Sequence, residues 1–107
     1  MFSLMLMNKD FMAIGKTNIR IVITGGSNCG PSLLKAMKQA FTDAFIMNLY
    51  GLSEFSDAVV LSPWESDFDT TVLSIGKPID GFQVKVVGSN GYELPSGETG
   101  KAWRIPF

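Results

Sequence analysis

Two rhythms of apolar and polar positions run along this chain, and the points where one gives way to the other mark its elements. Residues 2–12 set Leu4, Met5, Phe11 and Met12 around most of a helical circumference, which predicts a core-facing helix, with a strand as the alternative. Residues 19–24, IRIVIT, are β-branched and almost wholly apolar, the pattern of a strand covered on both faces in a parallel sheet. That run stops at GGSNCG, residues 25–30. Pro31 suits a first helical position, and Leu33, Leu34, Met37 and Phe41 recur at helical spacing opposite Lys35, Lys38 and Gln39. A helix over 31–41 follows. Beyond Thr42 and Asp43, the run AFIMNLY predicts a second strand over 44–50.

Strand, glycine-rich loop, helix and strand in that order make a βαβ unit, whose right-handed crossover lays the strands parallel. Ligands of open α/β sheets bind beyond the carboxyl ends of their strands. Gly25, Gly26 and Ser27 are therefore expected to face one cavity with the turn Tyr50-Gly51-Leu52-Ser53-Glu54.

Residues 62–71 read as an irregular loop whose Glu65, Asp67 and Asp69 form a solvated face. The rhythm then changes to period two. GKPIDG at 76–81 marks a boundary, FQVKVV alternates over 82–87, GSNG turns at 88–91, and LPSGETG leads into KAWRI at 101–105. The expected fold class is α/β: a parallel βαβ portion over residues 1–78, then the start of an antiparallel, barrel-like β subdomain over 79–107.

Composition narrows what such a body can do. At 107 residues the chain can bury roughly 60–70% of its unfolded surface, enough for a small core. Hydrophobic residues are 46% and charged residues 18%, so polar side chains are scarce for covering the surface. A net charge of −1, with no Lys/Arg cluster, gives no field to attract nucleic acid. There is no histidine, and Cys29 is the single cysteine. An internal disulfide, a zinc site of nitrogen and sulfur ligands, and a Ser-His or Cys-His nucleophile are thereby excluded. Cys29 itself is expected to pack as a small hydrophobe. MFSLMLM is too short to span a bilayer and lacks the basic start of a signal peptide. The single cysteine, with no internal disulfide to form, makes a reducing, intracellular setting the expectation, with cytoplasm, mitochondrion and peroxisome not distinguished.

The turn after the second strand carries the chemistry. An aromatic face such as Tyr50 can stack on a purine, the Ser53 hydroxyl can hydrogen-bond a phosphoryl oxygen, and the Glu54 carboxylate can hold Mg²⁺. The plainer alternative is a partly buried tyrosine followed by a Ser/Glu cap. TGGSNCG matches neither the dinucleotide fingerprint nor the phosphate loop. Its glycines serve a tight strand-to-helix turn or let backbone approach a planar ligand.

Four blocks in order, IRIVITGGSNCGPSLLKAM, NLYGLSE, SIGKPIDGFQVKVV and ELPSGETGKAW, resemble the adenylate-forming superfamily of acyl-CoA synthetases, adenylation domains and luciferases. The segment LMLMNKDF is similar to one preceding the first strand in fatty acyl-CoA synthetases. The resemblance implies a nucleotide site made of Gly25, Gly26, Ser27, Asn48, Leu49, Tyr50, Gly51, Leu52 and Ser53. In it Tyr50 lies against adenine, Ser53 contacts the α-phosphate in place of the usual threonine, and Glu54 is the metal ligand. Ser53 and Glu54 are the expected catalytic residues. Asn28 and Cys29 replace a more usual proline and aliphatic residue, whereas Gly76-Lys77-Pro78 and Gly97-Glu98-Thr99-Gly100 shape turns. ATP and Mg²⁺ are the implied cofactors, CoA the co-substrate and a small carboxylate the substrate. The family's phosphate loop, ribose-binding aspartate and C-terminal lysine have no counterpart in this sequence. The chain is thus expected to be an internal part of a longer ligase, inactive alone, its remaining partner being the rest of that enzyme or another copy. A non-catalytic product that binds nucleotide or protein, and an adenylation domain loading a carrier protein, are the alternatives.

Overall fold

Asn8 divides the helix expected over residues 2–12. In a computed structural model, which describes residues 1–14, 18–52 and 57–106, α1 runs Phe2–Met7 and α2 Lys9–Ala13. Between them Asn8 is extended, at φ −84° and ψ 120°, and its Oδ1 accepts the Phe11 N–H at 2.9 Å. Asparagine competes well for this N-cap role, so the chain restarts a helix where the apolar pattern alone predicted continuity. The covered face also differs from expectation. Phe2, Leu6 and Phe11 lean on the core, whereas Leu4 and Met12 are exposed.

The βαβ unit forms as its pattern predicts. Strand β1, Ile21–Gly25, pairs in parallel with β2, Phe45–Leu52, in the register Ile21 with Phe45 through Gly25 with Leu49. Between them α3 spans Pro31–Ala40, with Pro31 in its first turn. Leu34, Met37 and Phe41 meet Val22, Ala44 and Ile46 in the central apolar cluster. Phe11 completes it with an edge-on contact to Phe41, ring centroids 6.1 Å apart. Lys38 fastens the exit of α3: its Nζ donates to the carbonyls of Thr42 at 2.8 Å and Ala44 at 2.9 Å. Such cationic donors suit the C-terminal end of a helix.

Strand β1 is covered on one face, not on two, although further along β2 Met47, on the face of Phe45, is buried. Val22 and Thr24 are buried beneath the helices, while Ile21 and Ile23 are 43% and 47% exposed. Their neighbour in the register, Phe45, is 46% exposed and meets Trp64 at a centroid distance of 4.5 Å. Among the described residues the helices that reach the core all contribute to the Val22 and Ile46 side. An apolar sequence demands burial but does not supply the cover.

Beyond β2 the chain reverses. Strand β3, Asp57–Leu61, pairs antiparallel with β2, the register shifting between Tyr50 and Gly51. Residues 62–71, expected to be irregular, contain the start of α4, Phe68–Leu73. Asp67 caps it by accepting the Thr70 N–H at 2.7 Å. The two-residue strand β4, Lys77–Pro78, closes the sheet order β1-β2-β3-β4. A second sheet joins β5, Phe82–Val87, to β6, Lys101–Pro106, in antiparallel register. Its connecting segment is held by a bridge between Val87 and Glu93 and by a Lys85–Glu93 ion pair of 2.9 Å. Among the described residues no helix is long and apolar enough to cross a membrane.

Candidate functional site

The glycine turn is fixed by two different constraints. Gly25 lies against β2 so closely that a Cβ there would sit 2.6 Å from the Leu49 carbonyl oxygen. Gly26 has open space around it but takes φ +76°, a conformation that side chains disfavour. The first glycine lets the strands approach; the second turns the chain out of the sheet. Ser27 and Asn28 are then exposed, Cys29 is half-buried against the core, and extended Gly30 opens α3.

At the carboxyl ends of β1 and β2 this turn walls a cavity of about 450 Å³, within the range of small-molecule sites. Gly26, Ser27, Asn48, Leu49, Tyr50 and Gly51 of the expected set line it, joined by Thr24, Asn28, Cys29 and Ile75. Gly25 stands behind the turn and borders a neighbouring cavity of about 270 Å³ beside α1. Leu52 is the last residue of β2. Ser53 and Glu54, the expected phosphate and metal contacts, lie outside the described residues. Thr24 was legible in principle, as the last inward position of β1 by strand alternation. Ile75 was not, because only the packing of α4 brings it to the end of β2.

Asn48 joins these parts. Its Nδ2 donates to the carbonyls of Thr71 at 2.8 Å and Ser74 at 3.2 Å, at the end of α4. The backbone N–H of Asn48 donates to Ser62 Oγ at 2.8 Å, and the Ser62 N–H returns a bond to the Asn48 carbonyl at 2.9 Å. Ser62 is 1% exposed, so this exchange satisfies polar groups that burial would otherwise penalise. Among the described residues no donor is bonded to Oδ1 of Asn48, a residue of the cavity wall.

Every described side chain in that wall is uncharged. Among the described residues no group of three His, Cys, Asp or Glu could hold a metal ion. Among the described residues the perturbed acid lies elsewhere: the Thr70 backbone N–H, and secondarily its hydroxyl, hold the Asp67 carboxyl below its ordinary value. The described part of the wall suits a neutral, partly planar group. It offers one aromatic face, amide and hydroxyl groups, and close backbone.

The family described as AMP-binding enzyme matches residues 1–103. A long-chain-fatty-acid–CoA ligase of Escherichia coli O6:H1 is 25% identical over 101 residues, covering 94% of this chain and 18% of that protein. The 4-coumarate–CoA ligase-like 9 protein of Arabidopsis thaliana is 32% identical over 91 residues, 80% of this chain and 15% of the relative. An anthranilate CoA ligase in complex with anthranoyl-AMP shares the fold at a TM-score of 0.82 and 24% identity, over 94% of this chain and 19% of that one. The chain spans less than a fifth of the length of these relatives.

Proposed function

This chain belongs to the AMP-binding enzyme family, and from that premise we propose that the cavity between β1 and β2 receives the adenosine end of ATP and of an acyl adenylate. One observation carries the reading. A cavity whose described wall is uncharged, at the ends of two neighbouring parallel strands, combines Tyr50 and Asn48 with the backbone of Gly26 and Gly51. In the proposal the Tyr50 ring stacks on adenine, and Asn48 Oδ1 accepts from its 6-amino group. The glycines leave room for backbone to lie against the base.

The phosphates belong beyond this neutral wall. Ser53 is proposed to donate to an α-phosphate oxygen and Glu54 to hold Mg²⁺. A carboxylate oxygen with phosphate and water ligands suits that ion. When bound, Mg²⁺ supplies neutralisation of phosphate charge. For the whole protein we propose an ATP-dependent carboxylate–CoA ligase, supported by the activities for which the relatives are named, with a fatty acid as the carboxylate. Its carboxylate oxygen attacks the α-phosphorus and pyrophosphate leaves; the CoA sulfur then takes the acyl group and AMP leaves. This chain alone is proposed to bind nucleotide without turnover, because no cationic side chain lines the described cavity.

The test is thermal unfolding of the purified chain with and without AMP. A ligand that binds only the native state raises stability by about 2.7 kcal/mol at a hundred times its Kd. The expected result is a higher Tm with AMP that shrinks in Tyr50→Ala, since stacking contributes roughly 1–3 kcal/mol per base. A wild-type Tm unmoved by millimolar AMP refutes the reading.

A further inference from the structure

We propose that Asn48 is a positioning residue that shapes the cavity through α4, by holding Ile75 in the wall. Both N–H groups of its amide are committed to carbonyls at the C-terminal end of that helix, those of Thr71 and Ser74. Thr71 is 3% exposed and lies at the centre of the contact, whereas Leu73 and Ile75 on either side of Ser74 are 87% and 52% exposed. Packing of Phe68, Thr71 and Val72 holds the helix as far as Val72, and among the described residues the hydrogen bonds of Asn48 and Ser74 hold the exposed residues beyond it. The Ser74 Oγ in turn accepts the Gly76 N–H at 3.1 Å, so the restraint passes directly across Ile75. Gly76 is locked at φ +108°, where a Cβ would overlap the Leu61 carbonyl. Ile75 is thus suspended between two fixed points, one on β2 through Asn48 and one on β3 through Gly76.

A helix of six residues is too short to hold its own end, and its last carbonyls have no partner within the helix. The amide of Asn48 supplies those partners from the strand that carries Tyr50. Shape at the site and order in α4 are consequently one property. The proposal rests on the nucleotide reading for what the wall encloses, but not for the existence of the restraint.

Cys29 lines the same cavity and also the smaller one beside α1, so the change in its reactivity between variants, not its absolute rate, reports on the wall at Ile75. The experiment measures its rate of modification by a thiol-directed disulfide reagent in the purified chain, without nucleotide, alongside hydrogen exchange of residues 68–75. Asn48→Asp keeps the side-chain shape but removes both donors and sets a carboxylate against two carbonyl oxygens. The expected result is about tenfold faster modification, in line with the loss of two hydrogen bonds, together with faster exchange in α4. Ile75→Ala should also speed modification while leaving α4 exchange unchanged. Lys38→Met loosens the distant α3 exit with both Asn48 bonds intact, and so marks the effect of lowered stability alone. The proposal is overturned if Asn48→Asp reacts no faster than Lys38→Met, or if Ile75→Ala reacts at the wild-type rate. Where Asn48→Asp does not fold, Asn48→Ala, which removes both donors without adding a charge, is read against the same Lys38→Met control. AMP is absent from these reactions, so their outcome tests the role of Asn48 whether or not the chain binds nucleotide.

Discussion

Replacing Gly25 by alanine adds one methyl group at the point where the two parallel strands meet. The new Cβ would lie 2.6 Å from the Leu49 carbonyl oxygen, and 3.2 and 3.3 Å from two Leu49 side-chain carbons, where ordinary contact begins at 3.4 Å. The oxygen is backbone and cannot rotate aside. Relief requires β1 and β2 to separate at Gly25 and Leu49, the last pair of their ladder. Overpacking of this kind costs about 1–3 kcal/mol. With a urea slope of about 1–3 kcal/mol per molar, the denaturation midpoint should fall by about 1 M. The control is Gly30→Ala, a position with nothing within 4 Å and an ordinary φ of −66°. That change should shift stability by less than about 1 kcal/mol, because a stiffer unfolded chain is offset by alanine's poorer fit at the N-cap of α3. Urea titration followed by tryptophan fluorescence reads both. Equal midpoints for the two variants would refute the close-approach reading, since the substitutions share their chemistry and differ only in surroundings. The Gly25 variant should also bind AMP more weakly than Gly30→Ala, because the displaced Leu49 belongs to the cavity wall.

Three further outcomes follow from particular contacts. Lys38→Met removes the donor to the Thr42 and Ala44 carbonyls and should lower unfolding free energy by about 1.5–3 kcal/mol, read from chemical denaturation. Asp67 has a folded-state pKa held below its unfolded value by Thr70. Its stabilising contribution is therefore present above the unfolded pKa and fades as pH falls through the folded one. Asp67→Ala should flatten this acid dependence when melting is compared at neutral pH and below about pH 4, the region of the ordinary carboxylate value. Glu54→Gln should leave AMP affinity unchanged and abolish the Mg²⁺ dependence of ATP binding in calorimetric titration, an outcome that separates the metal role from the base site.

The sequence by itself determined the βαβ unit. The β-branched run Ile21, Val22 and Ile23 favoured a strand, Pro31 started the helix, and Leu34, Met37 and Phe41 fixed which face it buried. Those signals are local, with periods of two or 3.6 residues, and they suffice to bring Gly26 and Tyr50 to the same end of the sheet. Glycine marked the turn, although which constraint each one answers, steric at Gly25 and conformational at Gly26, needed the neighbouring strand. The tertiary structure alone decided the rest. Asn8 ended a helix by bonding Phe11, against an apolar pattern that ran on past it. β3 and α4 gained their places by pairing with and packing on β2, contacts made across many residues of chain. Asn48 could be read as a residue for ligand, but the carbonyls that claim its amide lie 23 and 26 residues further on. Hydrogen-bond partners at such distances leave no periodic trace, because they depend on where separate elements meet and not on the order within any one of them.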